Sequence, residues 1–217
     1  MLLPEARWFG EKIASLKSED IFPMFNIGSS TEQFRKVDQP WIDEFIFEPL
    51  AGKAVFHVDI KEAAGVDVVG DLSKLSFQRE LLNKHPKSVM CLNLLEHVIN
   101  RDDMSKKIIS LVPIGGYIFV SCPYKFPYHA DPIDTLFRPS PDELAKLFPG
   151  TKSIYSDVIV GENYLSMLSR NKLKACKTLF RMLFPFYNPH NWYKQAVYFP
   201  WLFKNFKATC LVLRKYE

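Results

Sequence analysis

Glycine is scarce in this chain, with nine in 217 residues. A dinucleotide-binding turn calls for three closely spaced glycines, of which only Gly28 stands in the first small-residue turn. No Gly-Lys-Ser/Thr follows it, so a P-loop is excluded and a nicotinamide site is disfavoured. Cysteine is also rare. Cys91, Cys122, Cys176 and Cys210 are scattered without a CxxC pair, which argues against a disulfide framework or a zinc finger. Cys91 and Cys210 lie inside apolar runs, as buried reduced thiols do. No apolar run approaches the roughly 20 residues that span a bilayer. Glu5 and Arg7 occupy the place where a secretory leader would be apolar, so a cytoplasmic location is expected. The excess of positive charge is only +4, too small by itself to imply a nucleic-acid partner, and none is expected.

What is present reads as one globular domain over residues 1–217, with 47% hydrophobic and 24% charged residues. Ala6, Phe9, Ile13 and Leu16 recur at helical spacing and predict an amphipathic entry helix. Apolar strands are expected at 21–27, 54–60, 66–69, 88–92 and 117–122, with 154–160 as an edge strand and 206–213 as the last. Helices alternate with them: one capped by Ser76, one opening at Asn100 and, after the fifth strand, one signalled by Ser140-Pro141-Asp142-Glu143. Residues 40–47 suggest a further helix. Strands alternating with helices predict an α/β fold with a doubly wound, mostly parallel sheet.

In such sheets ligands bind beyond the carboxyl ends of the strands. Gly28 to Thr31, Asp59, Asp71, Asn93 and the segment after Cys122 all lie at those ends. A glycine turn entering a helix offers backbone N–H groups to an anion, and Asp59 is placed to accept from two ribose hydroxyls. Taken singly, each is also what an ordinary strand end looks like. Their agreement across five ends is the informative feature.

These residues carry a family resemblance. Phe25-Asn26-Ile27-Gly28-Ser29-Ser30-Thr31-Glu32, His57-Val58-Asp59-Ile60, Val69-Gly70-Asp71-Leu72, Asn93-Leu94-Leu95-Glu96-His97-Val98 and Leu111 to Tyr117 resemble, in order, the motifs of class I S-adenosylmethionine methyltransferases. The resemblance implies a seven-stranded Rossmann-like sheet and S-adenosylmethionine as cofactor. It implies a cofactor site made by Asn26, Gly28, Ser29, Ser30, Asp59, Ile60, Asp71, Leu72, Asn93 and His97. Asn26 stands where the family usually has an acid, and Ser30 and Glu32 replace two of its glycines.

Methyl transfer needs its acceptor held in line, and needs a base only for a hydroxyl of high pKa. The segment from Cys122 to Asp134 lies beside the expected cleft, and His129, Asp131 and Asp134 are its candidate catalytic residues. His129 would remove a hydroxyl proton, oriented by Asp131 or Asp134. The competing reading makes the aspartates turn formers and His129 a satisfied polar residue. Metal ligation by these three is disfavoured, and no metal ligand is assigned. Arg138 is expected to pair with Asp134, the alternative being that it meets an anionic acceptor.

Residues 163–205 form an aromatic-rich, lysine-bearing insertion before the last strand. It reads as a cap on the sheet, as a lid over the acceptor, or as an interfacial segment touching anionic lipid. The function these features favour is methyl transfer to a small-molecule acceptor, a hydroxyl of a sugar or secondary metabolite. The rival is a non-catalytic binding or scaffold protein that keeps the fold.

Overall fold

The computed structural model describes all residues except 130–132, 170–175, 179, 181–185, 187–191 and 193–196. Seven strands form one sheet: β1 Met24–Ile27, β2 Val55–Asp59, β3 Val68–Val69, β4 Ser88–Leu92, β5 Tyr117–Lys125, β6 Thr151–Asn163 and β7 Asn205–Lys215. Their order is β3-β2-β1-β4-β5-β7-β6. The first five run parallel, and β7 inserts antiparallel between β5 and β6. The order reverses direction between β1 and β4, where a doubly wound sheet opens its ligand crevice.

Both faces of the sheet are covered, so its strands are apolar at successive residues rather than alternate ones. Phe25, Val89, Ile118 and Leu211 point into one core, and their neighbours Met24, Met90, Phe119 and Val212 point into the other. Helices α3 Leu75–Leu82, α4 Arg101–Leu111 and α5 Pro141–Lys146 close the first face through Leu81, Ile108 and Leu144. The entry helix α1, Leu3–Ala14, closes the second with Ala6, Phe9 and Ile13. Phe9 is fully buried, a burial that stabilises by about 1.5–3 kcal/mol.

Local signals explain most boundaries. Asn100 caps α4 by accepting from the Asp103 N–H at 3.1 Å. Ser140 and Glu143 form the expected capping box of α5, with Pro141 at its first position. Four expectations need correction. The first strand begins at Met24, because Ser18–Ile21 forms the short helix α2. The third strand is only two residues long. Lys74, not Ser76, occupies the N-cap of α3. Residues 40–47 do coil, but as a π-helical turn over Asp43–Phe47, the second of two such turns after Phe34–Asp38.

Of the insertion, the described part includes α6, Tyr164–Ser169. Tyr164 and Leu168 pack with Tyr198, Trp201, Leu202, Phe206 and Phe126. Among the described residues no helix is long and apolar enough to cross a membrane. Most of the lysine-bearing stretch lies outside the described residues.

Candidate active site

The turn after β1 is shaped by backbone geometry. Gly28 has φ of +70°, and an added Cβ would stand 2.8 Å from Leu94 Cδ1. The first turn therefore lies directly against the Leu94 turn that follows β4. Ser30 also adopts a left-handed conformation, with φ of +57°, where the resembling family carries glycine. Thr31 starts the next turn by accepting from the Phe34 N–H at 3.1 Å.

The expected display of free N–H groups is not what forms. Gly28 and Ser29 donate to the Val58 carbonyl at 2.9 and 3.2 Å. Ser30 donates to Asp59 Oδ2 at 2.8 Å. Arg35, buried and unforeseen from the sequence, clamps the turn from behind. Its guanidinium donates to the carbonyls of Ser29, Ser30 and Gly65 at 2.8, 2.7 and 2.6 Å. A buried cation satisfied by three carbonyls locks the loop after β1 to the loop after β2.

Asp59 sits at the end of β2, half-buried, and also accepts from the Lys61 N–H at 3.0 Å. Two such bonds leave lone pairs on both oxygens for ribose hydroxyls. Ile60, beside it, is 66% exposed, an apolar surface next to the carboxylate. Asp71 accepts from the N–H and hydroxyl of Ser73 at 2.8 and 2.7 Å, and these bonds hold its pKa below the ordinary carboxylate value. Leu72 is part of the core, so its side chain does not face the cleft. Asn26 is turned away as well: its amide donates to His57 Nδ1 at 3.1 Å across β1 and β2. Burial, aided by the nearby Arg35 charge, pushes the His57 pKa down to about 4, which keeps that ring neutral and accepting.

At the end of β4, Asn93 takes a left-handed conformation and donates to Glu5 Oε1 at 2.7 Å. Ser121 on β5 donates to the same oxygen at 2.7 Å. Glu5 is 1% exposed, so α1 is stitched by a buried carboxylate to the end of β4 and the middle of β5. The only sequence signal for this was a glutamate beside the apolar stripe of α1.

The side expected to hold the acceptor is built from two loops. The 3-10 turn Leu95–His97 carries Glu96 and His97, and the loop after β5 carries His129 and Asp134. The loops are tied where Thr135 donates to the Glu96 carbonyl through its N–H at 2.9 Å and its hydroxyl at 2.8 Å. His97 Nδ1 donates to the Ile133 carbonyl in a short contact. The His97 and His129 rings meet edge to face at 5.3 Å.

Asp134 is gripped by Arg138, whose two terminal nitrogens donate to Oδ1 and Oδ2 at 3.1 and 2.7 Å. Burial alone would raise the Asp134 pKa. The Arg138 fork and the N–H groups of His129 and Leu136 outweigh it and hold the carboxyl at about 2. His129 Nδ1 lies 3.3 Å from Asp134 Oδ2 and 3.4 Å from the Pro127 carbonyl. Both oxygens only accept, so Nδ1 carries the hydrogen and Nε2 presents its lone pair. Burial shifts the His129 pKa downward, against the opposing pull of Asp134. Asp131 lies outside the described residues.

Glu96 completes the cluster. It is fully buried, and burial together with the nearby Glu5 carboxylate raises its pKa to about 8. A row of rings connects the cluster to the insertion: His129 to Phe126 at 5.2 Å, Phe126 to Phe206 at 4.8 Å, and Phe206 to Trp201 at 5.7 Å.

No protein-family model and no curated protein matches the sequence. Solved structures do match its shape. Coclaurine N-methyltransferase, bound to N-methylheliamine and S-adenosylhomocysteine, superposes with a TM-score of 0.53 at 14% identity over 95% of this chain and 69% of that one. The fold is that of the class I S-adenosylmethionine methyltransferases. A protein from Galdieria sulphuraria assigned as a sarcosine dimethylglycine methyltransferase matches with a TM-score of 0.57 at 10% identity, over 97% of this chain and 84% of that one. A [4+2]-cyclase matches with a TM-score of 0.52 at 13% identity, over 95% and 80%. The methyltransferase fold thus also houses another reaction, and the chemistry of this chain must be argued from its own residues.

Proposed function

We propose that this protein is an S-adenosylmethionine-dependent methyltransferase acting on a hydroxyl of a small-molecule acceptor, a sugar or secondary metabolite. The observation that carries the reading is the placement of two imidazoles, His97 and His129, with Nδ1 hydrogens held by oxygen acceptors, at the carboxyl ends of β4 and β5. The Gly28–Leu94 contact brings the cofactor turn against the loop bearing His97.

The residues fit the cofactor on its nucleoside side. Asp59 would hold the ribose hydroxyls, exposed Ile60 would cover the base, and Asp71 would face its amino group. The methionine carboxylate would have to be met beyond Ser30, since the N–H groups of Gly28, Ser29 and Ser30 are engaged within the protein. When bound, the cofactor supplies an electrophilic methyl group. The chain's own task is to hold the acceptor oxygen and to take up its proton. His129, oriented by Asp134, offers Nε2 for that proton. The row of rings from His129 to Trp201 supports the insertion, residues 163–205, as a cap over the acceptor.

The engaged N–H groups of the first turn favour the rival reading of a scaffold without chemistry. Isothermal titration with S-adenosylmethionine and S-adenosylhomocysteine separates the two. Binding of either, weakened in Asp59→Ala, supports the enzyme, whereas a folded sample that binds neither removes it. A screen of hydroxyl, amine and thiol acceptors with labelled cofactor then identifies the acceptor class.

A further inference from the structure

Among the described residues, the only buried side-chain polar atoms without a hydrogen-bond partner are the two carboxylate oxygens of Glu96. A carboxyl group taken out of water with no hydrogen-bond partner is costly, and native structures rarely retain one without a reason. What faces it is nitrogen. His97 Nε2 is 3.8 Å from Glu96 Oε1, and one ligand atom each from Glu96, His97 and His129 lies within 4.8 Å of the others.

The protonation of the two rings is set from outside the cluster. Nδ1 of His97 is held by the Ile133 carbonyl, and Nδ1 of His129 by the Pro127 carbonyl and the Asp134 carboxylate. Each ring is thereby left with a lone pair on Nε2. A metal-binding histidine characteristically donates its other N–H to a carbonyl or carboxylate in this way. Arg138 in turn fixes Asp134, and Thr135 fixes the Glu96 backbone, so the supporting contacts are themselves supported.

We propose that Glu96, His97 and His129 bind a divalent transition-metal cation, of which zinc is the representative. Two imidazole nitrogens and one carboxylate exclude a preference for magnesium or calcium, which take oxygen ligands. Three protein ligands leave a coordination position open, as in catalytic rather than structural zinc sites. Ligand atoms in a tetrahedral zinc site stand about 3.4 Å apart, so binding draws the three side chains inward by roughly an ångström. The location of the site does not depend on the methyl-transfer reading; its use does. On that reading a bound cation would hold the acceptor hydroxyl and lower its pKa, with the proton leaving to water; His129 would be a ligand in the cation-loaded protein and the base in the cation-free one.

The test uses the full chain, stripped with chelator and titrated with Co²⁺ alone, followed by visible absorption and by calorimetry. One equivalent should bind, with the intense bands of a low-coordinate site, and Zn²⁺ should displace it. His97→Ala, His129→Ala and the near-isosteric Glu96→Gln should each weaken binding by at least about tenfold. Circular dichroism of each variant checks folding, and Glu96→Gln keeps the test open should a histidine variant fail to fold. A persistent hexaaqua spectrum overturns the proposal. So does binding that none of the three substitutions changes, which would place the ion elsewhere. Titration of S-adenosylmethionine on the same samples distinguishes the readings. Cobalt binding without cofactor binding retains the cation site and ends methyl transfer; the reverse ends the site alone.

Discussion

The Glu5 carboxylate and the Asn93 amide, 88 residues apart in sequence, meet at 2.7 Å and close the entry helix over the end of β4. Glu5 Oε1 also receives the buried Ser121 hydroxyl at 2.7 Å, so one oxygen anchors two strands. Asn93, expected from the motif to face the cofactor, is thus held by a residue of α1.

Glu5→Ala leaves the Asn93 amide and the Ser121 hydroxyl without an acceptor, each costing about 1–3 kcal/mol when buried, and also removes the acceptor of the Leu2 N–H at the start of α1. A loss of roughly 2–4 kcal/mol is expected in urea unfolding, and a smaller one for Glu5→Gln, whose amide oxygen still accepts. A change no larger than that of an ordinary surface substitution would show that the stitch contributes nothing.

The first turn makes two opposite predictions. Gly28→Val meets both a φ of +70° and Leu94 at 2.8 Å, so cofactor binding should be lost while most secondary structure remains. Ser30→Gly removes the cost of a left-handed φ, offset by extra freedom of the unfolded chain. It should leave stability unchanged or raise it by up to about 1 kcal/mol. Thermal unfolding and calorimetry check both, and tight cofactor binding by Gly28→Val would place the cofactor elsewhere.

Asp59→Ala should weaken S-adenosylmethionine by about 1–3 kcal/mol, because ribose hydroxyls lose their acceptor. Stability without cofactor should fall as well, since Ser30 N–H and Lys61 N–H lose theirs. Equal cofactor affinity in variant and parent would take Asp59 out of the site.

His57 predicts a pH effect on folding. Its folded pKa is near 4, below the ordinary histidine value near 6.5 of the unfolded chain. Between those values the unfolded state binds the extra proton, so stability falls as pH drops from about 6.5 to 4 and levels off below. The loss is on the order of 3 kcal/mol. His57→Gln should flatten the slope in that window; an unchanged slope assigns it to another group.

His129→Ala should lower kcat for a hydroxyl acceptor by about 10²–10⁴-fold with cofactor affinity unchanged. Burial lowers the His129 pKa, so the native rate should hold to lower pH than an ordinary imidazole allows. A loss confined to acceptor KM would make His129 a loop anchor. A nearly unchanged kcat would end its part in proton removal.

Strand and helix order was legible because each element carries its own periodicity and stop signals. The run Ser88 to Leu92 and the capping box at Ser140 came out as read. The two-residue β3 and the π-helical turns did not, because their extent depends on pairing and packing against neighbours rather than on their own residues. The place of Asp59 at the end of β2 and the proximity of His129 to Asp134 were legible from a strand end and one short loop. Arg35, Glu5 and Glu96 were not. A charged residue in a helix or turn reads as solvent-facing until the fold buries it.

By itself, then, the sequence determined the alternation of strands and helices, the parallel sheet, and which polar residues stand at its carboxyl end. Those follow from local propensity and a repeat that adjacent residues encode. Tertiary structure alone decided which of these polar groups are already engaged. Packing turned Asn26 toward His57, committed the first-turn N–H groups to Val58 and Asp59, and left Glu96 buried beside two imidazoles. Hydrogen-bond partners and desolvation depend on residues far apart in sequence, 31 positions for Asn26 and His57 and 29 for Ser30 and Asp59, and only the closed sheet brings those together.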